Sequence, residues 1–182
     1  ATNIISVFDP TNIDCDNIYI IDDDFVNNSQ LPFGFTHAEY RYENGQFYLL
    51  EIGARGGGNL ISSHIVPAMT GVENYSILID QFVTGGTDKR IDIASIDKNK
   101  VAVLVFFDTT ENGGVVDRID GVDVLRQDGV LFYQFNFKVG DTIKRPTDGG
   151  NRIGFYVACC KNQQSMNELI SSIEQNVKII YR

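Results

Sequence analysis

The stretch His37-Ala38-Glu39-Tyr40-Arg41-Tyr42-Glu43-Asn44-Gly45-Gln46-Phe47-Tyr48-Leu49-Leu50-Glu51-Ile52-Gly53-Ala54-Arg55-Gly56-Gly57-Gly58-Asn59 decides the reading of this chain. Residues 35–42 and 46–52 alternate as half-buried strands do, and Asn44-Gly45 between them is a strong hairpin signal. Glu39 and Glu51 then sit on adjacent strands, and parity decides whether they share a face. A two-residue turn would pair 39 with 50 and split the acids between faces. A three-residue loop at 43–45, with Gly45 left-handed as a bulge, pairs 39 with 49 and 37 with 51, and gathers His37, Glu39 and Glu51 on one face. A shared metal site therefore predicts the three-residue loop. Two carboxylates are hard oxygen ligands suited to Mg²⁺. Arg55 adds a planar fork for phosphate or carboxylate, and Gly56, Gly57 and Gly58 let backbone N–H groups approach an anion closely.

The rest of the composition narrows the function. With 182 residues and 43% hydrophobic content, the chain suits one large domain or two small ones. A net charge of −9 argues against nucleic acid or an anionic membrane as main partner, since both call for a basic face. No apolar run approaches the roughly 20 residues that span a bilayer, and the N-terminus lacks the pattern of a signal peptide. Cys15, Cys159 and Cys160 form an odd set without framework spacing, which suits buried thiols in a reducing, cytoplasmic setting. Adjacent Cys159 and Cys160 point to opposite faces of a strand.

Outward from the hairpin, residues 3–8 and 17–21 read as short strands, and Asp22-Asp23-Asp24 as a solvated turn or cap. Asn59 is positioned to cap a helix running to about Met69, and Val72–Val83 reads as a second, with Tyr75, Leu78, Ile79 and Phe82 on one stripe. Polar residues 84–100 follow, and a boundary is placed near Lys89. Beyond it the chain is mostly strand: 101–108, 115–121, 129–136, 142–145 and 153–160. Met166–Val177 reads as a closing helix, with Ser165 and Glu168 as a capping box. The expected architecture is α+β: an antiparallel sheet with flanking helices in residues 1–88, then a β-rich tail domain, 89–182.

The ordered set from His37 to Gly58, with Thr70-Gly71-Val72-Glu73 after it, resembles the C-terminal lobe of ATP-grasp ligases. It is most similar to the branch of carbamoyl-phosphate synthase-like proteins and L-amino-acid ligases. The resemblance is strongest over residues 33–86. It extends more weakly through Gly140-Asp141-Thr142-Ile143 and Arg152-Ile153-Gly154 to about residue 175. It implies a reaction in which a substrate carboxylate takes the γ-phosphate of ATP, becomes an acyl phosphate, and is captured by an amine. By residue match, Glu39 and Glu51 hold Mg²⁺ (or Mn²⁺) on the ATP phosphates, and Arg55 faces the γ-phosphate. Gly56, Gly57, Gly58 and the helix start at Asn59 match the region that holds the substrate carboxylate, while His37 beside them reads either as a contact to nucleotide or substrate or as a structural residue. Many family members carry Asn two positions after the second Glu; here that residue is Gly53. The resemblance further implies an N-terminal substrate domain and an ATP-covering lobe, for which this sequence has no counterpart. It therefore reads as a piece of a longer enzyme, inactive alone, whose partners are those domains and small-molecule substrates. The alternative is a non-catalytic binding or assembly domain that keeps the hairpin as scaffold. The specific substrates and the oligomeric state are not legible in the sequence.

Overall fold

The computed structural model describes residues 4–7, 24–30, 34–85, 96–97, 99–108, 113–144 and 152–182. The expected strand at 17–21, Asp22 and Asp23, Cys15 and Lys89 lie outside these. Chain contacts divide the molecule into two units, Phe8–Lys98 and a second formed by Ala1–Val7 with Asn99–Arg182.

In the first unit, β2 (His37–Glu43) and β3 (Gln46–Gly53) form an antiparallel hairpin. Glu43 faces Gln46, so the turn holds two residues and the expected three-residue loop is incorrect. Asn44 and Gly45 have φ of 53° and 79°, the two left-handed positions of a type I′ turn, which matches the strand twist. The expected pairing of 39 with 49 and 37 with 51 fails with the loop. Instead the register shifts between Glu39 and Tyr40. Tyr40 faces Leu49, Glu39 faces Glu51 and His37 faces Gly53, leaving Leu50 as the extra residue of a β-bulge. The bulge achieves what the loop was expected to achieve, and both acids occupy one face. The other face is aromatic: Phe47 lies 6.1 Å from Tyr40 and 4.7 Å from Tyr42, ring centre to ring centre.

The helix expected from Asn59 to Met69 is broken into parts. Asn59 and Leu60 are both left-handed, φ 49° and 59°, and Asn59 caps nothing. A π-helical turn follows at Ile61–Ile65, then α1 (Val66–Thr70), with Pro67 in its first turn and Gly71, φ 73°, as its left-handed end. Two consecutive non-glycine residues in that region carry strain of order 1–3 kcal/mol each. The second helix, α2 (Asn74–Thr84), starts two residues later than expected and stops at left-handed Gly85. Its predicted stripe is not buried: Tyr75, Ile79 and Phe82 are 49%, 61% and 77% exposed. Residues 24–29 are also helical.

The second unit is built on an antiparallel sheet in the order β1-β4-β8-β6, comprising Ile4–Val7, Val101–Phe106, Gly154–Cys160 and Val130–Phe135. The run Val101-Ala102-Val103-Leu104-Val105 is buried along its whole length, as a continuous apolar strand in a sheet covered on both faces should be. Helix α3 (Gln163–Asn176) adds Met166, Leu169 and Ile173 to the core formed with Val101, Val103, Val105, Leu125, Tyr156 and Ala158. Its cap differs from expectation. Asn162 is the N-cap and accepts from the Ser165 N–H at 2.9 Å, so Ser165 is a capped residue rather than the cap. A second sheet, β7-β5-β9 (Thr142–Ile143, Gly114–Asp120, Lys178–Tyr181), encloses Val116, Ile143 and Ile153. Strand β9 has no counterpart in the sequence reading. Cys159 and Cys160 are half-buried, and burial pushes both thiols above their ordinary pKa. Among the described residues no helix is long and apolar enough to cross a membrane.

Candidate functional site

The candidate site is one face of the hairpin and the loop that leaves it. Glu39 and Glu51 are directly opposed, which places their Cβ atoms about 4.5–5.5 Å apart. Their side chains are 59% and 64% exposed. Each has one basic side chain beside it. His37 Nε2 lies 3.7 Å from Glu39 Oε1, and an Arg55 guanidinium nitrogen lies 3.6 Å from Glu51 Oε1. These are loose, exposed pairs of little energetic weight, so both carboxylates keep lone pairs turned to solvent. Among the described residues no three His, Cys, Asp or Glu side chains converge on one metal position. Two carboxylates nonetheless fit Mg²⁺, which usually takes only one or two from the protein and completes its shell with water and substrate phosphate.

Arg55 is bound back onto its own loop. Its N–H donates to the Gly53 carbonyl at 2.8 Å, and its Nη1 donates to the Gly56 carbonyl at 3.1 Å. The side chain runs over Gly53, where a Cβ would meet Arg55 Cγ and Nε at 3.4 Å. A Cβ at Gly53 would thus pack in ordinary contact with the arginine.

The three glycines differ in role. A Cβ on Gly56 would lie 2.8 Å from Ser62 Oγ, and one on Gly57 would lie 3.0 Å from His37 Nδ1 and 3.1 Å from Ile61. A side chain at Gly56 would force a shift of buried Ser62, and one at Gly57 would need His37 or Ile61 to give by a few tenths of an ångström. Gly58 is open. The Gly57 N–H donates to Ser62 Oγ at 2.7 Å, so it is not a free anion donor. Ser62 was not distinguishable in the sequence, because a serine after a glycine run has no chemical signature of its own. His64 places Nδ1 2.8 Å from Ser63 Oγ. The structure thus brings His37, Glu39, Glu51, Arg55 and the glycines together, with Asn59 in the strained exit of the loop.

Residues 106–182 match the family model described as L-amino acid ligase C-terminal domain 2. Across 99% of this chain, the structure resembles L-amino acid ligase from Bacillus licheniformis, with a TM-score of 0.71 and 19% identity, covering 44% of that chain. The chain has the fold of an ATP-grasp C-terminal lobe. Phosphoribosylglycinamide synthetase from Anaerococcus prevotii matches 81% of it at a TM-score of 0.65 and 17% identity, covering 37% of that protein. N5-carboxyaminoimidazole ribonucleotide synthetase from Thermotoga maritima matches 99% at 0.57 and 15%, covering 46%. The chain therefore spans less than half the length of each of these three proteins. No curated protein sequence matches the chain.

Proposed function

We propose that this chain is the metal-and-phosphate lobe of an ATP-dependent ligase that joins a small carboxylate to an amine through an acyl phosphate. The observation that carries the reading is the opposition of Glu39 and Glu51 on one exposed face with Arg55 against Glu51. Phosphoryl transfer asks the protein mainly for positioning and charge neutralisation. Mg²⁺, when bound, screens the phosphate oxygens and aligns the transfer. Glu39 and Glu51 are the residues that would hold it. Arg55 would meet charge on the transferring phosphoryl group, and the glycine loop would keep bulky side chains away from it. An L-amino acid as the carboxylate substrate is supported by the family match of residues 106–182. The scaffold alternative gains nothing from the geometry, because the two acids are exposed and side by side rather than tied into packing.

The test is ADP release from MgATP by the full-length protein carrying this chain, supplied with a mixture of the twenty standard L-amino acids. Turnover is expected in the wild type and not in Glu51→Gln. Equal rates in the two would remove the ligase reading.

A further inference from the structure

The peptide unit between Gly56 and Gly57 is held at both of its polar ends. Its N–H donates to Ser62 Oγ at 2.7 Å, and its carbonyl accepts from Arg55 Nη1 at 3.1 Å. A trans peptide is planar, with N–H and C=O pointing in opposite directions, so a partner that fixes one end aims the other. Ser62 is well placed to be that partner. It is only 6% exposed, and its own carbonyl accepts from Asn74 Nδ2 at 3.2 Å, which ties it to the start of α2. The contacts around Gly56 and Gly57 leave the loop little room to swing away, since Ser62 stands against the first and His37 and Ile61 against the second. Arg55, by contrast, is 55% exposed, and the Glu51 carboxylate is 3.6 Å away. The Gly56 carbonyl is thus the backbone anchor of an otherwise exposed guanidinium.

We propose that Ser62 is a positioning residue for Arg55. By holding the Gly57 N–H inward it aims the Gly56 carbonyl outward, and that carbonyl sets the guanidinium beside the Glu51 carboxylate. The proposal rests on the ligase reading of Arg55 given above. No bond to substrate is asked of Ser62 itself.

The experiment uses the full-length protein, MgATP and the same amino-acid mixture, together with amide hydrogen exchange at Gly57. Ser62→Ala is expected to speed exchange at Gly57 and lower kcat about 10- to 100-fold, the range for a displaced catalytic group, with KM for MgATP little changed. Ser62→Thr keeps the acceptor oxygen and is expected to restore both readouts. In an Arg55→Ala background, Ser62→Ala should cost nothing further, because coupled residues are non-additive. Should Ser62→Ala melt far below the wild type, Ser62→Cys, with a weaker acceptor of similar size, carries the same expectations. Additive losses, unchanged kcat or unchanged Gly57 exchange would overturn the proposal and leave the ligase reading intact. Full activity in Arg55→Ala would overturn the ligase reading, and the role of Ser62 with it.

Discussion

Glu39 and Glu51 face each other across the hairpin because Leu50 is the one residue of β3 left without a partner there. Like charges directly opposed on a sheet are unfavourable by about 0.2–1 kcal/mol, and the exposed pairs to His37 and Arg55 give back no more than that. Glu51→Gln should therefore shift unfolding stability by less than about 1 kcal/mol. Its effect on ligand response should be much larger. Thermal denaturation of the full-length protein is expected to show MgADP raising the Tm of the wild type and not of Glu51→Gln. A variant that keeps the ligand-induced shift would take Glu51 out of the site.

The turn that brings the strands together depends on positive φ at both of its central residues. Gly45→Ala places a Cβ at φ 79°, in open space but in a strained conformation, and should destabilise the first unit by about 1 kcal/mol. Asn44→Gly, at a position that already tolerates the left-handed region, should cost less. Urea denaturation of the two variants side by side checks the ordering.

Much of this was legible because local signals agreed. The buried run Val101–Val105 and the stripe through Leu169 and Ile173 follow from side-chain pattern alone, and the order of Glu39, Glu51, Arg55 and glycines carried the fold resemblance. What failed did so where two local signals competed or where the partner was remote. Asn162 and Ser165 are both good caps, and only the 2.9 Å bond between them decides which one caps. With an unbroken register a two-residue turn separates the acids; the bulge at Leu50 that reconciles them leaves no mark in residue type. Strand β1 joins β4, with Ile4 opposite Leu104, a pairing too distant in sequence for any local pattern to announce. Ser62 is illegible for a different reason: its partner, five residues away, is a backbone N–H that any residue but proline carries. Its role arises from a peptide plane, not from its side-chain class.

Gly121 marks a place where backbone crowding, not flexibility, demands glycine. Its φ is 72°, and a Cβ there would fall on the carbonyl oxygen of Asn176 at the end of α3. Neither backbone can yield without disturbing the α3 terminus or the 3₁₀ turn Val122–Arg126 that Gly121 precedes. Gly121→Ala should cost more than about 2 kcal/mol, as overpacking combined with a left-handed backbone does. Gly140→Ala is the control. That residue also has positive φ but open space around it, so it should pay the conformational penalty alone. A chemical-denaturation midpoint for each variant separates the two contributions.

Tyr156 sets the alkaline limit of the second unit. Its ring lies in the core, 1% exposed, and its hydroxyl finds no hydrogen-bond partner among the described residues. Burial, with Glu174 adding to it, pushes the phenol well above its ordinary value. The folded state therefore keeps a proton that the unfolded chain loses near pH ~10. Stability from this group is fully present below that pH. It then falls, by at most about 1.4 kcal/mol per pH unit, as the pH climbs toward the folded value. Cys159 and Cys160, also raised by burial, start the decline slightly earlier. Tyr156→Phe removes both the titration and an unsatisfied hydroxyl. It is expected to raise stability at pH 7 by about 1 kcal/mol and to flatten the alkaline limb without abolishing it, because Tyr181 is shifted in the same direction. Unfolding free energies of wild type and variant from pH 7 to 11 test both parts. Equal alkaline slopes would mean that Tyr156 ionises as readily in the folded chain as in the unfolded one.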